Sequence, residues 1–167
     1  RSGANKATFT LKGNKAFGTN FYTPFQKSYG LATTTPASFS SFEIVATQNA
    51  TTVLITPRTA ITGHAANVTF TITLNAGQTY SARDMNVSAA TSLAGSIVSS
   101  NKPVAITVFE GGLSSSTCND AVGDQITHTG VLGTDYVVEK GTSSDVAYIM
   151  ATQNGTTVSV FNSTTNS

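Results

Sequence analysis

The segment IVATQNATTVLI, beginning at Ile44, returns as IMATQNGTTVSV, beginning at Ile149. Eight of the twelve positions are identical, at an offset of 105 residues. Each copy places an Asn-Ala or Asn-Gly step between two β-type runs, and an Asn-Gly step favours a tight hairpin turn. Residues 42–47 and 53–55 are the expected arms of one hairpin, and 147–152 and 158–160 those of the other. A second echo runs in the same order, because Gly18-Thr19-Asn20-Phe21-Tyr22 resembles Gly133-Thr134-Asp135-Tyr136-Val137 at an offset of 115. The difference between the two offsets is taken up by the Ser-, Thr- and Pro-rich loop 28–41. Two echoes in one order imply an internal duplication. The expected organisation is a basic N-terminal arm over 1–17, a first β-unit over 18–130, and the start of a second, incomplete unit over 131–167.

The rest of the chain also reads as strands and turns. Val68, Phe70, Ile72 and Leu74 alternate with Thr69, Thr71 and Thr73, which is the period-two pattern of a half-buried strand. Asn75-Ala76-Gly77-Gln78 carries turn chemistry, with 79–82 expected to return beside 68–74. Residues 95–99, Asn101-Lys102-Pro103 and 104–109 read as strand, turn and strand. Helical periodicity is not sustained anywhere, and 89–94 has room for one turn at most. The expectation is an all-β fold, an antiparallel β-sandwich of jelly-roll-like or Ig-like kind, with the second copy incomplete. An incomplete copy leaves strand edges without partners. Such edges are completed either by polypeptide beyond Ser167 or by strands of a neighbouring molecule.

Charge is sparse, at 10% of residues, and Thr, Ser, Ala, Gly and Asn fill the space. Arg1, Lys6, Lys12, Lys15 and Lys27 give the first 27 residues a charge of +5, against −4 for the remainder. A basic arm beside a mildly acidic body is either a solvated extension or a guide for self-association. No basic patch is interleaved with stacking aromatics, so nucleic acid is not an expected partner. No apolar run approaches the roughly 18 residues of a membrane span. Arg1 rather than Met opens the sequence, as in a processed chain or an excised piece. Cys118 is the single cysteine, so any disulfide pairs it with a cysteine outside this sequence or in another chain.

Several residues are candidates for chemistry. Asn119, Asp120 and Asp124 concentrate oxygen ligands and are the candidates for calcium, although no calcium-loop spacing is met. The plainer role is hydrogen bonding to nearby backbone in an irregular crossover. Asn49, Asn67, Asn86, Asn154 and Asn162 lie in Asn-X-Ser/Thr sequons and are glycan acceptors if the chain is eukaryotic and secreted. Cys118 and His128 are a thiol and an imidazole without a placed acid, and His64 reads as a loop residue. Lys12 or Lys15 with Glu43 or Glu110 are the pairs to consider for a lysine–carboxylate cross-link. Tyr22, Tyr29 and Phe39 are the aromatics a glycan site would use, and core packing competes for each. The row Thr69, Thr71 and Thr73 invites comparison with ice-binding arrays, but one strand is not an array.

A family resemblance follows from ordered pieces: Gly18-Thr19-Asn20-Phe21, then Phe42-Glu43-Ile44-Val45-Ala46-Thr47 with Thr52-Val53, then Leu74-Asn75-Ala76-Gly77. Gly95-Ser96-Ile97-Val98-Ser99-Ser100-Asn101-Lys102-Pro103-Val104-Ala105 comes next, then Asp120-Ala121-Val122-Gly123-Asp124-Gln125-Ile126 and Leu132-Gly133-Thr134-Asp135-Tyr136. In this order the chain resembles the N-terminal domain family of the IgG Fc-binding protein, over about 18–160. The resemblance implies an extracellular β-rich module of adhesion-like or matrix-like proteins, without established enzymatic activity. It maps no Fc-binding residue onto this chain.

The expected function is therefore that of a non-catalytic, extracellular or cell-surface structural or adhesion module. It needs no cofactor and self-assembles by strand complementation, with itself or other surface and matrix proteins as partners. The alternative is a glycan- or protein-binding module that uses loops 28–41 and 113–120, since recognition sits on loops of a rigid scaffold.

Overall fold

The computed structural model describes residues 9–33, 35, 37–84, 86–115, 118–139 and 146–161. Arg1, Lys6 and Asn162 lie outside these residues. Seven strands form one antiparallel sheet: β1 (Gly18–Tyr22), β2 (Ser40–Ala46), β3 (Thr51–Thr56), β4 (Phe70–Leu74), β5 (Thr79–Asp84), β6 (Ile97–Ser115) and β7 (Cys118–Ile126). The sheet is nearly barrel-shaped, and the all-β, sandwich-like expectation holds. Two short 3-10 turns, Gly13–Ala16 and Thr129–Val131, flank it.

β6 organises everything else. It is 19 residues long, and each stretch of it has different neighbours. Near its start Ser100 faces Val53 of β3, while Val98 faces both Ile55 of β3 and Phe21 of β1. Further along, Ile106 faces Ile44 of β2 and Ile126 of β7. β2 and β3 are both antiparallel to β6, so they run in the same direction, end to end along it. On their far side β5 lies against β2 and β4 against β3.

The expected hairpins are not formed. β2 does not pair with β3, β4 does not pair with β5, and residues 97–109 are one unbroken strand. The reason is the length of β6. It offers backbone partners to β2 and β3 together, and that ladder outweighs the local turn preference of Asn49-Ala50. Apolar alternation survives the change: Phe42, Ile44 and Ala46 of β2, Val53 and Ile55 of β3, and Val98, Val104 and Ile106 of β6 are all sealed in one core.

The three turn signals instead come side by side as a ridge across the sheet. Asn49 Oδ1 accepts from the Ala76 amide at 3.1 Å, and Asn75 Oδ1 accepts from the Ala50 amide at 3.0 Å. Asn101 Oδ1 accepts from the Thr52 amide at 2.8 Å. Lys102 Nζ donates to the Asn49 carbonyl, and the Thr47 hydroxyl to that of Pro103. Ala50 carries a φ of 52° and Gly77 one of 80°, which lets the chain step out of the ladder and re-enter it.

Two further expectations shift. The strand expected over 68–74 begins at Phe70, because Asn67 has a φ of 58° and Val68 is exposed. The loop expected at 113–120 is paired at both ends, with Leu113 opposite Asp120 and Ser114 opposite Asn119. Gly112, at a φ of 107°, makes the bulge that keeps this extension of the ladder in register.

Candidate functional site

Two regions stand out. The first is a cavity of about 290 Å³ between the 24–26 segment, β6 and β7, lined by Phe25, Val108, Glu110, Val122 and Asp124 and bordered by Tyr148. Asp124 lies directly opposite Val108, and Glu110 follows two residues further along β6, so both carboxylates are on one side of the sheet. Glu110 is only 6% exposed, and Gln26 Nε2 donates to its Oε1 at 3.1 Å. Burial pushes the Glu110 carboxyl above its ordinary range, an effect the Gln26 bonds partly offset. Asp84, on β5, is likewise buried and raised.

The described part of the basic arm docks beside this cavity. Phe9 meets the Phe109 ring edge-on with centroids 6.2 Å apart, and the Gln125 amide donates to the Thr10 carbonyl. The Gly13 amide donates to Gln125 Oε1 at 2.9 Å. Lys12 Nζ lies 2.5 Å from Asp124 Oδ2 and donates as well to the Gln125 carbonyl. Lys12 is thus engaged by its own chain, which weakens the idea of an arm free to steer a second molecule.

The second region is the segment 149–160, whose sequence echoes 44–55. Local geometry is reproduced faithfully at its turn: Ala50 and Gly155 both have positive φ, at 52° and 74°. Thr51 Oγ1 donates to the Gln48 carbonyl at 2.7 Å, and Thr156 Oγ1 to the Gln153 carbonyl at 2.8 Å. The flanking runs behave oppositely. Ile44 and Val53 are fully sealed, whereas their counterparts Ile149 and Val158 are 63% and 49% exposed. Tyr136, Val137, Val138, Val160 and Phe161 are exposed too, and the described residues from 132 onward contain no strand. Tyr148 touches back on the first unit through a hydrogen bond from its hydroxyl to Ser28 Oγ.

The remaining sequence candidates are placed as follows. Asn119 and Asp120 are exposed on β7, four or more residues from Asp124 along an extended strand, so Asp120 and Asp124 are about 13 Å apart. Among the described residues no three His, Cys, Asp or Glu side chains converge. Cys118 opens β7 opposite Ser115, its side chain lying outside what is described, while His128 follows the other end of the strand. Some eight extended residues, about 26 Å, therefore separate the thiol position from the imidazole end of β7. His128 Nδ1 accepts from the Gly130 amide, and its ring packs edge-on to Phe21. His64 is a loop residue stacked on Phe70 at 3.5 Å.

Glu43 accepts from Ser81 on β5, so the lysine–carboxylate contact that forms is Lys12 with Asp124 rather than with Glu43 or Glu110. Asn49, Asn67, Asn86 and Asn154 are exposed, as glycan acceptors must be. Phe39 is engaged by Phe109 and by Arg83, whose guanidinium sits 3.9 Å from the ring centre, while Tyr29 is exposed. Thr69, Thr71 and Thr73 all face solvent, with Thr69 bonded to Thr56 across the edge of the sheet. The Lys12–Asp124 contact escaped sequence reasoning because 112 residues separate the partners and no motif joins them.

Among the described residues no helix is long and apolar enough to cross a membrane. No curated protein and no solved structure is significantly similar to the chain. A family model does match, described as IgGFc binding protein, and it spans residues 6–167. That match covers nearly the whole sequence and agrees with the ordered pieces from Gly18 to Tyr136, so the chain belongs to the IgGFc binding protein family.

Proposed function

We propose that this chain is an extracellular, protein-binding structural module that assembles with copies of itself by β-strand complementation, and that it does no catalysis. Membership of a binding-protein family supports the extracellular, protein-binding part. The observation that carries the assembly part is the contrast between Ile44 and Ile149, and between Val53 and Val158: core residues in one copy, exposed in the other. In the first unit those runs are held by β6 on one side and by β4 and β5 on the other. Their counterparts in 149–160 have the same turn and keep Ile149 and Val158, but form no ladder. Exposed apolar residues on extended backbone are a template for strand addition.

A second copy also offers a matching edge. β4 and β5 end the strand order and have one side unpaired among the described strands. Residues 147–151 and 158–160 of one molecule, laid against that edge in another, would bury apolar surface and satisfy backbone groups on both. The test is sedimentation equilibrium over a wide concentration range. Wild-type chain associates reversibly, and Ile149→Asp with Val158→Asp abolishes association while the fold is kept. Wild-type chain that stays monomeric throughout rejects the assembly.

A further inference from the structure

We propose that Lys12 and Asp124 are joined by an intramolecular isopeptide bond, with Glu110 transferring the proton. Lys12 Nζ already lies 2.5 Å from Asp124 Oδ2, at attacking distance from the Asp124 carboxyl carbon. The nitrogen is held there by a second bond, to the Gln125 carbonyl, and by the Gly13 and Lys12 amides that fix the arm on Gln125 Oε1. The other oxygen of Asp124, Oδ1, is buried with no hydrogen-bond partner. An unsolvated carboxylate oxygen is costly, and a neutral carboxyl or an amide there lowers the cost.

Glu110 supplies the proton-transfer group. It lines the same cavity as Asp124 and stands diagonally across the β6–β7 ladder from it, about 7–8 Å away and within reach of long side chains. Its burial among Phe25, Val108 and Phe109 favours the protonated form, which is the form able to donate.

The step balances without an outside reagent. A proton passes from Lys12 Nζ to the Asp124 carboxylate, leaving a neutral amine and a neutral acid. The nitrogen lone pair attacks Asp124 Cγ and forms the C–N bond. Glu110 protonates the departing hydroxyl as the C–O bond breaks, then recovers its proton from Nζ. One water leaves and Glu110 is unchanged. The product fastens the N-terminal arm to β7 across 112 residues of chain, closing a large loop and covering the outer side of that strand.

Intact-mass spectrometry of the purified full chain is the test. The folded wild-type chain is lighter than its sequence by one water, and fragmentation yields a branched peptide holding Lys12 and Asp124. Lys12→Ala and Asp124→Ala each restore the full mass. Asp124→Asn links with loss of ammonia instead, giving a product of the same mass as linked wild type, a signature that a merely structural ion pair does not produce. Glu110→Gln folds, by its far-ultraviolet circular dichroism, yet keeps the full mass. Wild-type chain of full mass in the folded state overturns the proposal, as does a water loss that persists in Lys12→Ala.

Discussion

Thr51 and Thr156 close their turns in the same way, each hydroxyl donating to the carbonyl of the glutamine three residues earlier, at 2.7 and 2.8 Å. Local sequence therefore dictates the turn in both places. What differs is the company of the flanking strands, and stability should follow that company. Ile44→Ala removes packing from a sealed position and is expected to cost about 2–5 kcal/mol. Ile149→Ala should stay within roughly 0.5 kcal/mol in dilute solution. Urea denaturation of the two variants checks the pair.

The asparagine ridge gives a second expectation. Asn49 and Asn75 each accept from an amide in the other's turn, and Asn101 accepts from Thr52. Each Asn→Ala change removes one such bond and should cost about 1 kcal/mol. Asn49→Ala with Asn75→Ala should not be additive, because either change loosens the junction that the other depends on. A double-mutant cycle by thermal denaturation measures the coupling.

Close approach at Gly123 gives a third. A Cβ there would lie 2.8 Å from the Val108 carbonyl oxygen and 2.9 Å from the Phe9 ring, so the ladder or the docked arm must move. Gly123→Ala is expected to destabilise by about 1–3 kcal/mol. Gly133→Ala, whose Cβ meets nothing nearer than 3.9 Å, should be close to neutral. Denaturation midpoints distinguish them.

Burial of Glu110 and Asp84 sets the direction of the pH response. Both carboxyls are raised above their ordinary values, 4.5 and 3.8, chiefly by desolvation. The folded state then holds these protons more tightly than the unfolded state. Their contribution to stability is complete below the unfolded values and falls as pH rises through the folded ones. Melting temperature should therefore rise on moving from neutral to mildly acid solution. Glu110→Gln should flatten part of that slope.

Strand chemistry was legible in the sequence, and connectivity was not. Phe70, Ile72 and Leu74, or Phe42, Ile44 and Ala46, show which side of a strand faces the core through alternation alone. Asn49-Ala50, Asn75-Ala76 and Asn101-Lys102 look like hairpin turns, but their asparagine side chains bond to backbone elsewhere: Asn49 and Asn75 to each other's turns, Asn101 to β3. Whether a turn reverses the chain or only interrupts it depends on a distant 19-residue strand, which periodicity cannot see. The sequence echo drew attention to Ile149 and Val158, whose counterparts Ile44 and Val53 lie in the core. The hollow beside Glu110 and Asp124 was hidden, because only the β6–β7 register brings these two to one side of the sheet.

Amide hydrogen exchange over residues 147–160 is the most direct measurement of strand complementation. The amides should exchange almost freely in dilute solution and gain strong, concentration-dependent protection as molecules associate, with β4 and β5 protected in step. Amides that remain unprotected at every concentration, or that are already protected in the isolated monomer, would contradict it.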